Sequence, residues 1–108
     1  MAIAERISDS VVILDVSGKL TKDEGAAVHA VVTTKLGEGA SRFVVNLKQV
    51  NAVDSESADE LIPLYTDVSD RGGKVALVRL GADDIAAASK LTTIFDVFVS
   101  EQGAIDAL

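Results

Sequence analysis

Hydrophobic positions follow two rhythms that alternate along the chain. Val11-Val12-Ile13-Leu14-Asp15-Val16 is β-branched and almost wholly apolar, the pattern of a strand covered on both faces. The weakly alternating residues 3–7 precede it across Ser8-Asp9-Ser10, so the two pieces predict an antiparallel hairpin, with Gly18 closing the second strand. Residues 42–47 and 74–80 repeat the buried-strand signature, and Val97-Phe98-Val99 supplies a short last strand.

Between these runs the period lengthens to that of a helix. Thr21-Lys22-Asp23-Glu24 has the form of a capping box, and Val28, Val31, Val32 and Leu36 then make one stripe. Gly37 is placed as a left-handed stop. A second stripe of Ala58, Leu61, Ile62, Tyr65 and Val68 runs toward Arg71-Gly72-Gly73, with Pro63 inside it predicting a kink or an irregular turn. Residues 82–91 form an alanine-rich helix opened by Asp83 and Asp84, which suit its positive end. Ser100 caps a terminal helix that offers Ala104, Ile105 and Leu108 to the core. Strands and helices alternating at this spacing predict one α/β domain over 1–108, a mostly parallel mixed sheet of four to five strands packed with four helices.

Composition narrows what such a domain can do. A chain of 108 residues, 48% apolar and mainly aliphatic, suits one real core and argues against disorder. Seventeen acidic residues against ten basic ones give a net charge of −7, which repels phosphate backbones and anionic lipid. Nucleic-acid partners and direct membrane insertion are therefore not expected. The absence of cysteine excludes disulfides, thiol catalysis and thiolate metal sites. Met1-Ala2-Ile3-Ala4-Glu5-Arg6 lacks the apolar core of a signal peptide and no later run could span a bilayer, so a cytoplasmic location is expected.

Candidate chemistry is sparse. His29 is the only histidine and lies off its helix stripe, the place of a rim residue rather than of a base or a ligand. Gly37-Glu38-Gly39 follows a helix and Gly72-Gly73 precedes a strand, so neither has the placement of a phosphate-cradling loop. No enzyme activity, cofactor or metal is expected. What stands out is the passage from Phe43-Val44-Val45-Asn46-Leu47 to the second helix through Asp54-Ser55. It sets the Ser55 hydroxyl at a helix start, beside free backbone N–H groups. The plain reading is a cap, for which Asp54, Ser55 and Ser57 all qualify, Ser57 with Glu60 at capping-box spacing. The functional reading is a hydroxyl presented to a partner.

Several local patterns then fall in a telling order. They are Gly18-Lys19-Leu20; Val44-Val45-Asn46-Leu47 with Val50 and Val53-Asp54-Ser55; Arg71-Gly72-Gly73-Lys74-Val75; and Leu91-Thr92-Thr93-Ile94-Phe95-Asp96-Val97-Phe98 followed by Ala104. Over residues 11–108 the chain thereby resembles the STAS domain, and specifically the small single-domain anti-sigma factor antagonists of bacteria. The resemblance implies binding to an anti-sigma factor, a serine kinase of the histidine-kinase-like ATPase fold, with release of a sigma factor. It places the phosphorylated serine at Ser55, and partner contacts at Thr21, Asp54, Glu56, Ser57 and Ala58. Phosphorylation would end binding, and a metal-dependent serine phosphatase would restore it.

The family usually runs Asp-Ser-Ser-Gly-Leu-Gly where this chain has Asp54-Ser55-Glu56-Ser57-Ala58-Asp59, so side chains replace both glycines. Thr21 stands where an Asp often follows Gly-x-Leu. A second reading suits those changes: a STAS-like accessory subunit of a transporter or lipid-trafficking complex, never phosphorylated.

A phosphate on Ser55 would add about −1.5 to −2 charges. The helix start favours it by about 0.3–1 kcal/mol. Asp54, Glu56, Asp59 and Glu60 oppose it; at roughly 8 Å and an effective dielectric of about 40, each unit pair costs on the order of 1 kcal/mol. Repulsion wins, so the modification would act as added charge and not as a helix stabiliser.

Overall fold

Two strands buried on both faces set the frame, as their near-continuous apolar runs require. The computed structural model describes residues 2–8, 10–53, 55–78, 96–98 and 100–108, with the backbone alone at 2, 51–53 and 55–59. In chain order these are β1 (Ala2–Ser8), β2 (Val11–Leu20), α1 (Lys22–Gly37), β3 (Arg42–Val53), α2 (Ser55–Asp70), β4 (Lys74–Val78), β5 (Asp96–Phe98) and α3 (Glu101–Ala107). The sheet runs β1-β2-β3-β4-β5. β1 and β2 form the expected antiparallel hairpin, and every later neighbour is parallel. Three helices are described; the fourth expected helix, over 82–91, and the strand ends expected at Leu80 and Val99 lie outside the described residues.

Strand alternation divides the core in two. Val12, Leu14, Val16, Leu20, Phe43, Val45, Leu47, Val50, Val75 and Leu77 point to one face, where α1 brings Val28, Val32 and Leu36 and α2 brings Leu61, Leu64 and Val68. Val11, Ile13, Val44, Ala76 and Val78 point to the other, covered by Ala104 and Ile105 of α3. A fully buried side chain of this kind contributes about 1.5–3 kcal/mol, so the larger face dominates stability.

Several local expectations need correction. Gly18 does not end β2, which continues to Leu20; its φ of +90° marks a bend inside the strand. β3 does not stop at Leu47 but runs to Val53, because two bulges carry it past the break in alternation. Where Val16 alone separates Asp15 from Ser17 on β2, Leu47 and Lys48 separate their partners on β3. Where Gly18 and Lys19 are adjacent, Asn51 is extra between Val50 and Ala52. The first bulge flips the parity, so that Leu47 and Val50, three residues apart, face the same core.

The left-handed stop after α1 is Gly39, at φ +100°, two residues later than expected. Ala40 N donates to Lys35 O at 3.0 Å and Gly39 N to Leu36 O at 3.1 Å, the crossed pair of bonds that ends a Schellman motif. On α2 the buried stripe is Leu61, Leu64 and Val68, whereas Ile62 is half-buried and Tyr65 is exposed. The helix is unbroken through Pro63. That ring is exposed, where water can serve the carbonyl that loses its bond.

The turn from α2 into β4 is tight. Gly73 N donates to Val68 O at 2.9 Å, and Lys74 N to Ser41 O at 2.7 Å. A Cβ on Gly73 would lie 2.6 Å from Ser41 O and 2.9 Å from Val68 Cγ1. Gly37, the last residue of α1, has nothing within 4 Å of such an atom. Gly73→Ala should therefore lower the unfolding free energy by about 1–3 kcal/mol, while Gly37→Ala should raise it by about 0.4–1 kcal/mol. Urea denaturation of the two variants beside the parent checks both signs.

Candidate functional site

In a parallel sheet, helices leave from the carboxyl ends of the strands, and that edge is where α/β domains present their sites. The β2–β3 register makes Leu20 the neighbour of Val53. Thr21 follows the first and occupies the N-cap position of α1; Ser55 stands two residues after the second and opens α2. Two helix N-termini thus lie side by side at one edge, each with first-turn backbone N–H groups that have no partner within their own helix. The pairing brings Thr21 to the edge where Ser55, Glu56, Ser57 and Ala58 form the first turn of α2. Asp54 lies outside the described residues.

The capping box expected at Thr21 does not close. Thr21 has the extended backbone of an N-cap, and Gly25 N donates to its carbonyl at 2.9 Å, but its hydroxyl makes no capping bond. Glu24 Oε2 is buried with no hydrogen-bond partner among the described residues. The helix starts where the sequence says, held by backbone bonds and packing. Ser100, by contrast, caps as expected: Gly103 N donates to its Oγ at 3.1 Å.

His29 sits at the rim, its side chain 24% exposed, with Nε2 2.7 Å from Oδ2 of Asp67 on α2. It is eight residues down α1 from Thr21, about 12 Å at 1.5 Å per residue. A general base must come within about 3 Å of the hydroxyl it serves. His29 therefore ties α1 to α2 and does not reach the helix starts. Among the described residues no group of three or more His, Cys, Asp or Glu could hold a metal ion. No described helix is long and apolar enough to cross a membrane.

Sequence reasoning missed a polar cluster on the α3 face. Arg6 on β1 reaches Asp15 of β2, with Nη2 donating to Oδ1 at 2.8 Å, and also pairs with Glu101 at the start of α3. Hydrogen bonds from Arg6, to Asp15 first and Glu101 second, push its pKa further above the ordinary arginine range, so the guanidinium stays charged. Asn46 Nδ2 donates to Glu101 Oε1 at 3.3 Å, and Lys48 N donates to Asn46 Oδ1 at 3.0 Å. The hints in the sequence are a lone carboxylate, Asp15, and a lone amide, Asn46, each inside an apolar run.

A family model for the STAS domain matches residues 2–104. Solved structures agree in fold. A Thermotoga maritima protein, provisionally assigned as an anti-sigma factor antagonist, superposes with a TM-score of 0.81 at 22% identity, covering 97% of this chain and 92% of that one. The anti-sigma factor antagonist SpoIIAA in its unphosphorylated form gives 0.78 at 16% identity, over 98% of this chain and 96% of its own. The phosphorylated form of SpoIIAA from Bacillus gives 0.74 at 15%, over 98% of each chain. Among curated proteins none matches.

Because the Thr21 hydroxyl holds no capping bond, Thr21→Ala should cost less stability than Ser100→Ala. The latter removes a formed cap worth about 1 kcal/mol. Parallel urea titrations decide it; an equal or larger loss at Thr21 would show that its hydroxyl supports the fold.

Proposed function

Since the chain belongs to the STAS domain family, we propose that it is an anti-sigma factor antagonist that binds an anti-sigma serine kinase and is switched off by phosphorylation of Ser55. The observation that carries this reading is the placement of Ser55 at the start of α2, beside the Thr21 cap, on the carboxyl edge of the sheet. A kinase must reach a hydroxyl, and a helix start at a sheet edge offers one together with open amides. The existence of a phosphorylated form of the structurally similar SpoIIAA favours the same chemistry here.

In this reading Thr21, Asp54, Glu56, Ser57 and Ala58 make the partner surface, and the domain itself performs no catalysis. The phosphate acts by adding charge to an already acidic turn. A loss of about 3–4 kcal/mol would reduce affinity by roughly two to three decades. A serine phosphatase would reset the switch, and the kinase and sigma factor would act with it in the cytoplasm.

An affinity pull-down from native lysate, read by mass spectrometry, should recover a small ATPase-domain protein. Recovery of a membrane transporter subunit instead would overturn the proposal in favour of an accessory role. Calorimetric titration of that ATPase-domain protein should show Ser55→Asp binding at least tenfold more weakly than the parent. Equal affinities would remove the switch. Glu56→Ser, which lifts one charge from the same turn, should bind more tightly; unchanged or weaker binding would show that Glu56 imposes no penalty.

A further inference from the structure

We infer that Asn46 is a positioning residue for the Ser55 edge: it pins the first β3 bulge and is itself held by the C-terminal helix. The inference rests on the reading of Ser55 given above, and its evidence lies at the opposite face of the sheet.

The bulge is the point of leverage. Leu47 and Lys48 stand against the single residue Val16, and the surplus residue changes which side of β3 faces α1 and α2 until the second bulge at Asn51. Without it, Gln49 would take the core position that Val50 holds, since a one-residue slip reverses every side chain. The strand would then enter α2 out of phase. A bulge leaves an amide without its ladder partner, and such a group needs another acceptor. Asn46 Oδ1 accepts the Lys48 amide at 3.0 Å.

The same side chain is held from its other end. Its Nδ2 donates to Glu101 Oε1 at 3.3 Å, across a separation of 55 residues. Glu101 is fixed in turn by Arg6, whose Nη1 donates to Oε2 at 3.4 Å and whose Nη2 also bonds Oε1. Arg6 is oriented by Asp15, through Nη2 to Oδ1 at 2.8 Å and Nε to Oδ2. Asp15 is the cross-strand neighbour of Asn46. One amide side chain therefore joins the seat of α3 to the bulge that aims the strand leading to Ser55. Displacing α3 would free Asn46 to turn, and the Lys48 amide would lose its acceptor.

Residue-resolved amide hydrogen exchange on the isolated protein tests this without any partner or phosphate. Its failure would thus leave the Ser55 reading standing, and failure of that reading would leave this result intact. Asn46→Ala should speed exchange at Lys48 and at residues 50–53 and 59–61 at least tenfold more than at Ile13 and Leu14. Asn46→Asp keeps an oxygen for Lys48 but faces Glu101 with like charge, so Lys48 should stay protected while 104–107 exchange faster. Glu101→Ala should loosen Lys48 as well as α3. Uniform acceleration at all amides in Asn46→Ala would reduce Asn46 to a structural role. Unchanged exchange at Lys48 in either alanine variant would overturn the inference.

Discussion

The parallel pairing of β2 with β3 governs where everything else sits. Both strands are buried on both faces, so neither can slide without exposing one of the two cores. Their register fixes which residues end at the carboxyl edge, and thus where α1 and α2 begin. Right-handed crossovers between adjacent parallel strands place both helices on the same side of the sheet. That side is filled by aliphatic side chains and Phe43. The helix starts are held by this packing even where, as at Thr21, a side-chain cap is missing.

The two faces differ in kind as well as size. The helical side is closed by apolar contact, with His29 and Asp67 bridging α1 and α2 at the rim. The opposite side carries a smaller apolar cluster and a polar border of Arg6, Asp15, Asn46 and Glu101. Exposed ion pairs contribute little stability, so the border matters for geometry more than for energy. It decides the seat of a short seven-residue helix that buries two of its side chains fully enough to anchor it.

Much of this was legible in the sequence, for identifiable reasons. The hairpin, the parallel strands and the start of α2 at Ser55 follow from runs and periods that burial on one or two faces imposes. The Ser100 cap was legible because its partner, Gly103, is three residues away. The second half of β3 was not, since each bulge resets the alternation by one residue and Lys48-Gln49 reads as a strand end. Leu64 was overlooked beside Pro63, and Tyr65 was placed inward where it is exposed. The role of Asn46 and the partner of His29 depend on residues 55 and 38 positions away, which no local pattern encodes.

The order β1-β2-β3-β4-β5 also bears on how the chain reaches its native form. Each strand docks beside the one made just before it, so loop closures stay short and their entropic cost grows little from one to the next. A ribosome could release this sheet one ribbon at a time. The exception is the docking of α3, whose Ala104 and Ile105 join Val11 and Ile13 and whose Glu101 pairs with Arg6 across 95 residues, so it forms only once residues 101–107 have been made. The hairpin and α3 therefore meet after the strands between them have paired, and their meeting closes the second face of the sheet.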